Sequence, residues 1–153
     1  MTRDDWKTPV KLFQYLNGFC HFTIDAAASK SNALCPRFWD EETDALKQDW
    51  SKEVVFCNPP YSMCKEFCDK ARREATRCLL LLPVRSDRIW YQKIINAEGW
   101  SNWPVTGRLH FDDSNKGAFM YSILLSKGLP FLFATKWVDA ARFNANGKGG
   151  AKS

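Results

Sequence analysis

Asn58-Pro59-Pro60-Tyr61 sets an amide, two rigid ring residues and a phenol in four consecutive positions. It follows directly on Glu53-Val54-Val55-Phe56-Cys57. The combination suits one kind of acceptor, an exocyclic amine on a conjugated ring. Such an amine is a poor nucleophile, because its lone pair is delocalised into the ring. The Asn58 side-chain carbonyl and the Pro59 backbone carbonyl can accept its two hydrogens. That draws the nitrogen toward a tetrahedral shape and localises the lone pair. Proline rigidity, continued by Pro60, holds the acceptors in place beforehand. Tyr61 adds a flat face on which a base stacks. A plain proline-stiffened turn is the alternative.

The elements around this string must position it. Residues 53–57 predict a strand, since β-branched and aromatic residues dominate them. The two prolines can neither continue a ladder nor enter a helix interior. A helix is expected over 63–76, where Phe67, Cys68, Ala71 and Ala75 recur at helical spacing. The apolar run 78–82 predicts a central parallel strand covered on both faces. Upstream, Pro9 opens a helix over 9–16 with Thr8 as its N-cap. A short buried strand over 22–25 ends on Asp25. A loop over 26–36, a possible second strand over 37–39 and one or two helical turns within 44–50 follow. Downstream, a helix is expected over 87–97 and strands over 108–111 and 119–125, around a turn. The class of 131–138 is left open, and 144–153 predicts a loose tail.

Strands alternating with helices predict one α/β domain over 1–143, with a mostly parallel sheet and a terminal antiparallel pair. In such sheets ligands sit outside the carboxyl ends of the strands. Asp25, Asn58 to Tyr61, and Pro83 to Arg85 each follow a candidate strand, so all three are expected at one edge.

Composition bounds the reading. The 153 residues suit one compact domain, and 45% hydrophobic with 14% aromatic content excludes a disordered chain. A net charge of +5 permits a polyanionic partner without demanding one. The six cysteines form no CxxC pair and there are two histidines, so no metal site is expected. The start of the chain is no signal peptide, and the apolar run Cys78 to Val84 is too short to span a membrane. A reduced, cytoplasmic protein is expected.

At this point a resemblance emerges. Asp5-Trp6-Lys7-Thr8-Pro9, Ile24-Asp25-Ala26-Ala27-Ala28-Ser29, Cys35-Pro36-Arg37-Phe38 and Asp44-Ala45-Leu46 with Gln48-Asp49-Trp50 stand in order before Asn58-Pro59-Pro60-Tyr61-Ser62. Leu82-Pro83-Val84-Arg85-Ser86-Asp87 and Gly107-Arg108-Leu109-His110-Phe111 follow. Together, over roughly residues 5–125, they resemble the phage-type DNA N6-adenine methyltransferases. The resemblance implies a Rossmann-like methyltransferase fold, S-adenosyl-L-methionine as methyl donor, and adenine as acceptor. Asp25 would then meet the ammonium of the cofactor's amino-acid end, and Thr8 with Pro9 would match the family's N-terminal cofactor segment. Asp49-Trp50 resembles an Asp-aromatic pair that binds the cofactor's adenine. Asp40 is favoured over Asp44 for the ribose hydroxyls, because it follows the possible second strand. Ala26 to Ser31 replaces the glycine-rich loop common among methyltransferases. Arg85, Arg88 and Arg108 are candidates for phosphates of DNA. A duplex would have to extrude its adenine.

Two rivals remain at this stage. One keeps the fold but methylates a protein glutamine amide or cytosine N4. The other is a methyltransferase-like domain that binds DNA without catalysis. Without a separate recognition domain, specificity would be short, relaxed or supplied by a homodimer.

Overall fold

The structure, a computed structural model, describes residues 7–111 and 120–144. Helix α1 (Val10–Cys20) precedes strands β1 (Ile24–Asp25) and β2 (Val54–Cys57). Then come helix α2 (Cys64–Glu74), β3 (Arg77–Pro83), α3 (Ile89–Ile95), β4 (Trp100–Thr106), β5 (Ser122–Lys127) and β6 (Val138–Asp139). The strands form one sheet in the order β1-β2-β3-β5-β4-β6. β1, β2 and β3 are parallel neighbours. β5 runs antiparallel to both β3 and β4, and β6 pairs parallel with β4. Every strand but β5 therefore points the same way.

The mixed, mostly parallel sheet is as expected, but its antiparallel element is not terminal. β5 lies inside the sheet, between β3 and β4. Its second partner is Trp100–Thr106, which no pattern in the sequence marked. Exposed Ser101, Thr106 and the intervening Pro104 hide the alternation there. Pro104 is tolerated because β6 covers β4 only at Val105 and Thr106. The strand expected over 108–111 is irregular chain, although Leu109 and Phe111 are buried. Phe119, in the strand expected over 119–125, lies outside the described residues.

Alternation along β3 divides the core. Leu79 and Leu81 face α1, with Leu12, Phe13, Leu16 and Phe56. Cys78, Leu80 and Leu82 face α2 and α3, with Val55, Cys57, Phe67, Ala71 and Ile94. Successive side chains of a strand point to opposite faces, so a run buried on both sides must be apolar throughout. The six cysteines are buried free thiols, and burial pushes the Cys20 and Cys35 thiols up to about 11.

Two local expectations are corrected. Thr8 does not cap α1; Pro9 holds the cap position without a side-chain hydrogen bond, and the helix runs on to Cys20. His21, at φ 52, closes it by donating its backbone N–H to the Asn17 carbonyl. Asn144, expected in a loose tail, is buried. Its side chain accepts from the His110 N–H at 2.9 Å and donates to the Arg108 carbonyl at 3.1 Å. Residues 145–153 lie outside the described part.

Candidate active site

The shared direction of β1, β2, β3 and β4 brings their carboxyl ends to one edge. Asp25 ends β1, and Phe38 adds a single parallel bridge beside it. Asp40 therefore leaves the sheet at the same edge. Asn58 follows β2 and Arg85 follows β3. Gly107, at φ 78, turns the chain out of β4 and presents Arg108.

Asp25, Thr8 and Asn58 line a narrow cleft at this edge together with Lys7, Ala27, Asn32, Leu34 and Pro60. Thr8 comes from the segment before α1, so three distant stretches of chain meet here. The Asn58 Nδ2 donates to the Thr8 hydroxyl at 3.1 Å. That bond ties the amide to the segment before α1 and restrains its rotation. Thr8, expected as a helix cap or cofactor contact, meets Asn58 here and does not cap α1. Pro59 is buried, and Tyr61 is partly buried at the start of a 3-10 turn. The Pro60 carbonyl accepts from the Met63 N–H at 2.9 Å. It also accepts from the Cys64 Sγ at 3.6 Å, which anchors the exit from the string.

Asp25 is 4% exposed. Its carboxylate accepts from the Leu34 N–H at 3.2 Å and the Ala27 N–H at 3.3 Å. Burial pushes its carboxyl up to about 6, against the pull of those two donors. A buried carboxylate that ionises reluctantly is suited to a cationic partner. The loop Ala26 to Ser31 that replaces a glycine-rich turn here supplies a backbone donor to the carboxylate.

Asp40 is partly buried and bound by its own loop. It accepts from the Thr43 N–H at 2.8 Å and from the Thr43 hydroxyl. The Asp44 N–H donates back to the Asp40 carbonyl at 2.9 Å. Asp44 sits at φ 55 and accepts from the Leu46 N–H. Both acids belong to one turn at the cleft's edge of the sheet.

Asp49 and Trp50 are placed elsewhere. The Trp50 N–H donates to the Glu74 carboxylate at 2.8 Å, and the Thr76 hydroxyl donates to the Ser51 carbonyl at 2.8 Å. Glu74 and Thr76 lead into Arg77, which pairs with Val54 at the first position of β2. The Asp49-Trp50 pair therefore lies at the amino edge, the length of β2 away from Asn58, roughly 13 Å at strand rise. Trp50 is fully buried between Trp39 and Phe67, and its indole N–H donates to the Ala45 carbonyl at 2.8 Å. It has no face to offer a ligand. The pair, expected to bind the cofactor's adenine, thus lies outside the cleft that holds Asp25 and Asn58.

The arginines differ among themselves. Arg85 forms a two-pronged ion pair with Asp87, at 2.8 and 2.7 Å. That pairing holds the Asp87 carboxyl down at about 2. Arg88 also approaches Asp87, at 3.6 Å. Arg108 lies over the Tyr121 ring, 5.2 Å from its centroid. An open groove along α2, lined by Leu46, Glu66, Asp69, Arg72 and Arg73, contains none of the residues singled out by chemistry.

The model of the DNA N-6-adenine-methyltransferase (Dam) family matches residues 1–126, most of the chain and the whole edge just described. This chain belongs to the Dam family. It is similar to the DNA N-6-adenine-methyltransferase of Escherichia phage T1, at 37% identity over 94 residues. That match covers 58% of this chain and 40% of the phage protein. It is also similar to YfdM of Escherichia coli (strain K12), a protein named as a methyltransferase, at 37% identity over 65 residues. That match covers 38% of this chain and 71% of the relative. Among the described residues no group of His, Cys, Asp and Glu is arranged to hold a metal, and no helix is long and apolar enough to cross a membrane.

Proposed function

We propose that this Dam-family chain transfers a methyl group from S-adenosyl-L-methionine to N6 of adenine in DNA, through a Rossmann-like domain over 1–143. The observation that carries the reading is the meeting of Thr8, Asp25 and Asn58 in one cleft at the carboxyl edge. A buried carboxylate and an oriented amide stand side by side, as this reaction requires. The donor set also fits the cofactor. Asp25 suits its ammonium, Thr8 lines the same cleft with Pro9 next to it in the chain, and the Asp40 turn offers carboxylates to its hydroxyls.

When bound, S-adenosyl-L-methionine supplies an electrophilic methyl on sulfonium. The chain's own residues do the rest. Asn58 and Pro59 accept the two amine hydrogens, which localises the nitrogen lone pair for in-line attack. Tyr61 stacks the extruded base, and Pro60 keeps the acceptors rigid. The surplus proton of the methylated amine would pass to water. Arg85, Arg88 and Arg108 stand at the same edge and serve the phosphates.

Transfer of labelled methyl from S-adenosyl-L-methionine, offered DNA and protein substrates in parallel, tests this. Label in N6-methyladenine is expected. Label in a glutamine amide or in cytosine N4 would redirect the acceptor. Binding of DNA with no transfer would leave a non-catalytic domain.

A further inference from the structure

Tyr121 stands one residue before β5 and is 53% exposed, although β5 itself is buried over Ser122 to Ser126. An exposed aromatic ring on a rigid frame calls for an explanation. The frame is firm: the Tyr121 carbonyl accepts from the Val84 N–H at 2.8 Å, extending the β3–β5 ladder past Pro83 and Ser122. Because β5 is antiparallel, its start lies at the carboxyl edges of β3 and β4. Arg108, turned out of β4 by Gly107, lies over one side of the ring. Arg85 follows Val84, beyond the carboxyl end of β3, where Asp87 holds its guanidinium.

A row thus crosses the edge: Tyr61 after β2, Arg85 after β3, Tyr121 before β5, Arg108 after β4. Rings alternate with guanidinium groups. Aromatic faces that stack bases, interleaved with cations that track phosphates, are the chemistry of a single-stranded nucleic-acid path. The strands that launch Tyr61 and Tyr121 are two strand spacings apart, roughly 10 Å. A DNA strand covers that distance in about three stacked nucleotides.

We infer that Tyr121, stiffened by Arg108, is a stacking platform for a base flanking the target adenine on the same DNA strand. The inference rests on the proposed action on DNA and adds a residue to it. Arg108 then has two roles, holding the ring by a cation–π contact and neutralising a phosphate. Tyr121 would bias which neighbours of adenine are accepted, because stacking strength differs between bases.

The test uses the full chain and a fluorescent single-stranded dA 12-mer, with affinity measured by anisotropy across a salt series. Tyr121→Ala is expected to weaken binding about tenfold, the scale of one lost stack, with the salt slope unchanged. Tyr121→Phe keeps the ring and should stay within about twofold of the parent. Arg108→Gln should lower the salt slope by about one unit. A map of methylated adenines should show altered flanking preference in Tyr121→Ala. Unchanged affinity in that variant overturns the platform, and so does a loss that Phe fails to restore. A changed salt slope in Tyr121→Ala also overturns it, because the ring would then act only by holding Arg108. If the parent binds the 12-mer and Tyr121→Ala loses binding, yet no DNA is methylated, the platform stands and the proposed activity falls.

Discussion

Two acidic residues that the sequence treated alike, Asp25 and Asp49, occupy opposite edges of the sheet and opposite environments. Asp25 is buried at the carboxyl edge, and its carboxyl is pushed up to about 6 by that burial. Asp49 is exposed at the amino edge and is held below the ordinary carboxylate range, chiefly by the Ser51 hydroxyl and N–H. The partners differ in reach as well. At the carboxyl edge Asn58 meets Thr8, 50 positions away, and Asp25 meets Leu34, nine away. At the amino edge Asp49 meets Ser51, two away. A site that must hold a reagent against water is assembled from distant segments. A carboxylate satisfied by its next neighbours is a turn.

The largest effect should come from the carboxyl edge itself. Asn58→Ala removes the oriented acceptor, and turnover should fall about 100-fold or more, the scale of one preorganised electrostatic contact. Cofactor affinity, measured by calorimetry, should stay near that of the parent. Abolished cofactor binding in a folded variant would move Asn58 from chemistry to cofactor holding.

Asp25→Asn should come next. Losing the carboxylate opposite an ammonium is expected to weaken S-adenosyl-L-methionine by about 10- to 100-fold, the worth of a hydrogen bond to a charged group. A pH series sharpens the point. The raised carboxyl means the ionised form is lost as pH falls through about 6. Parent affinity should therefore drop up to about tenfold per unit below pH 6, while the Asn variant stays flat. Stability should move the other way. The native state binds the proton more tightly than the unfolded chain, so ionised Asp25 destabilises the fold fully above pH 6 and not at all below about 4. In the absence of cofactor, Asp25→Asn should stabilise the protein at pH 8 by up to roughly 3 kcal/mol, a gain that shrinks between pH 6 and 4. Denaturant titrations at pH 8 and pH 4 read it out, and an equal effect at both would remove the burial argument.

Thr8→Val deletes the hydroxyl that holds the Asn58 amide. Turnover should fall about tenfold, less than for Asn58→Ala, because the amide remains and only its orientation is freed. Thr8→Ser should restore most of the rate. A rate unaffected by Val would show that the other neighbours of Asn58 suffice.

Asp49→Ala closes the series with the smallest effect. An acid at the far edge should change cofactor affinity by less than about twofold, and stability by no more than a fraction of a kcal/mol. A large loss of affinity would undo the placement of the two edges and with it the comparison.

Local chemistry was legible in the sequence. The strand and its breaking string, Val54 to Tyr61, follow from β-branched residues meeting two prolines, and both effects act within a few bonds. The helix α2 and the strand β3 are equally local, because a helical stripe and an apolar run declare their own burial. The gathering of Asp25, Asn58 and Arg85 at one edge needed only the parallel direction that alternating strands and helices impose. Other features rested on distant pairing. β5 enters the sheet between β3 and β4, and β4 is a strand because β5 hydrogen-bonds to it, not because Ser101, Asn102 and Pro104 favour one. Asp49 and Trp50 read as a ligand pair until Glu74 and Thr76 pulled their loop to the amino edge. Thr8 could be paired with Asn58, and Tyr121 with Arg108, only once the chain had closed. Residue types set what each side chain can do, through bonds within a few residues. Which of them share a cleft is decided by long-range backbone pairing, whose partners leave no mark on local sequence.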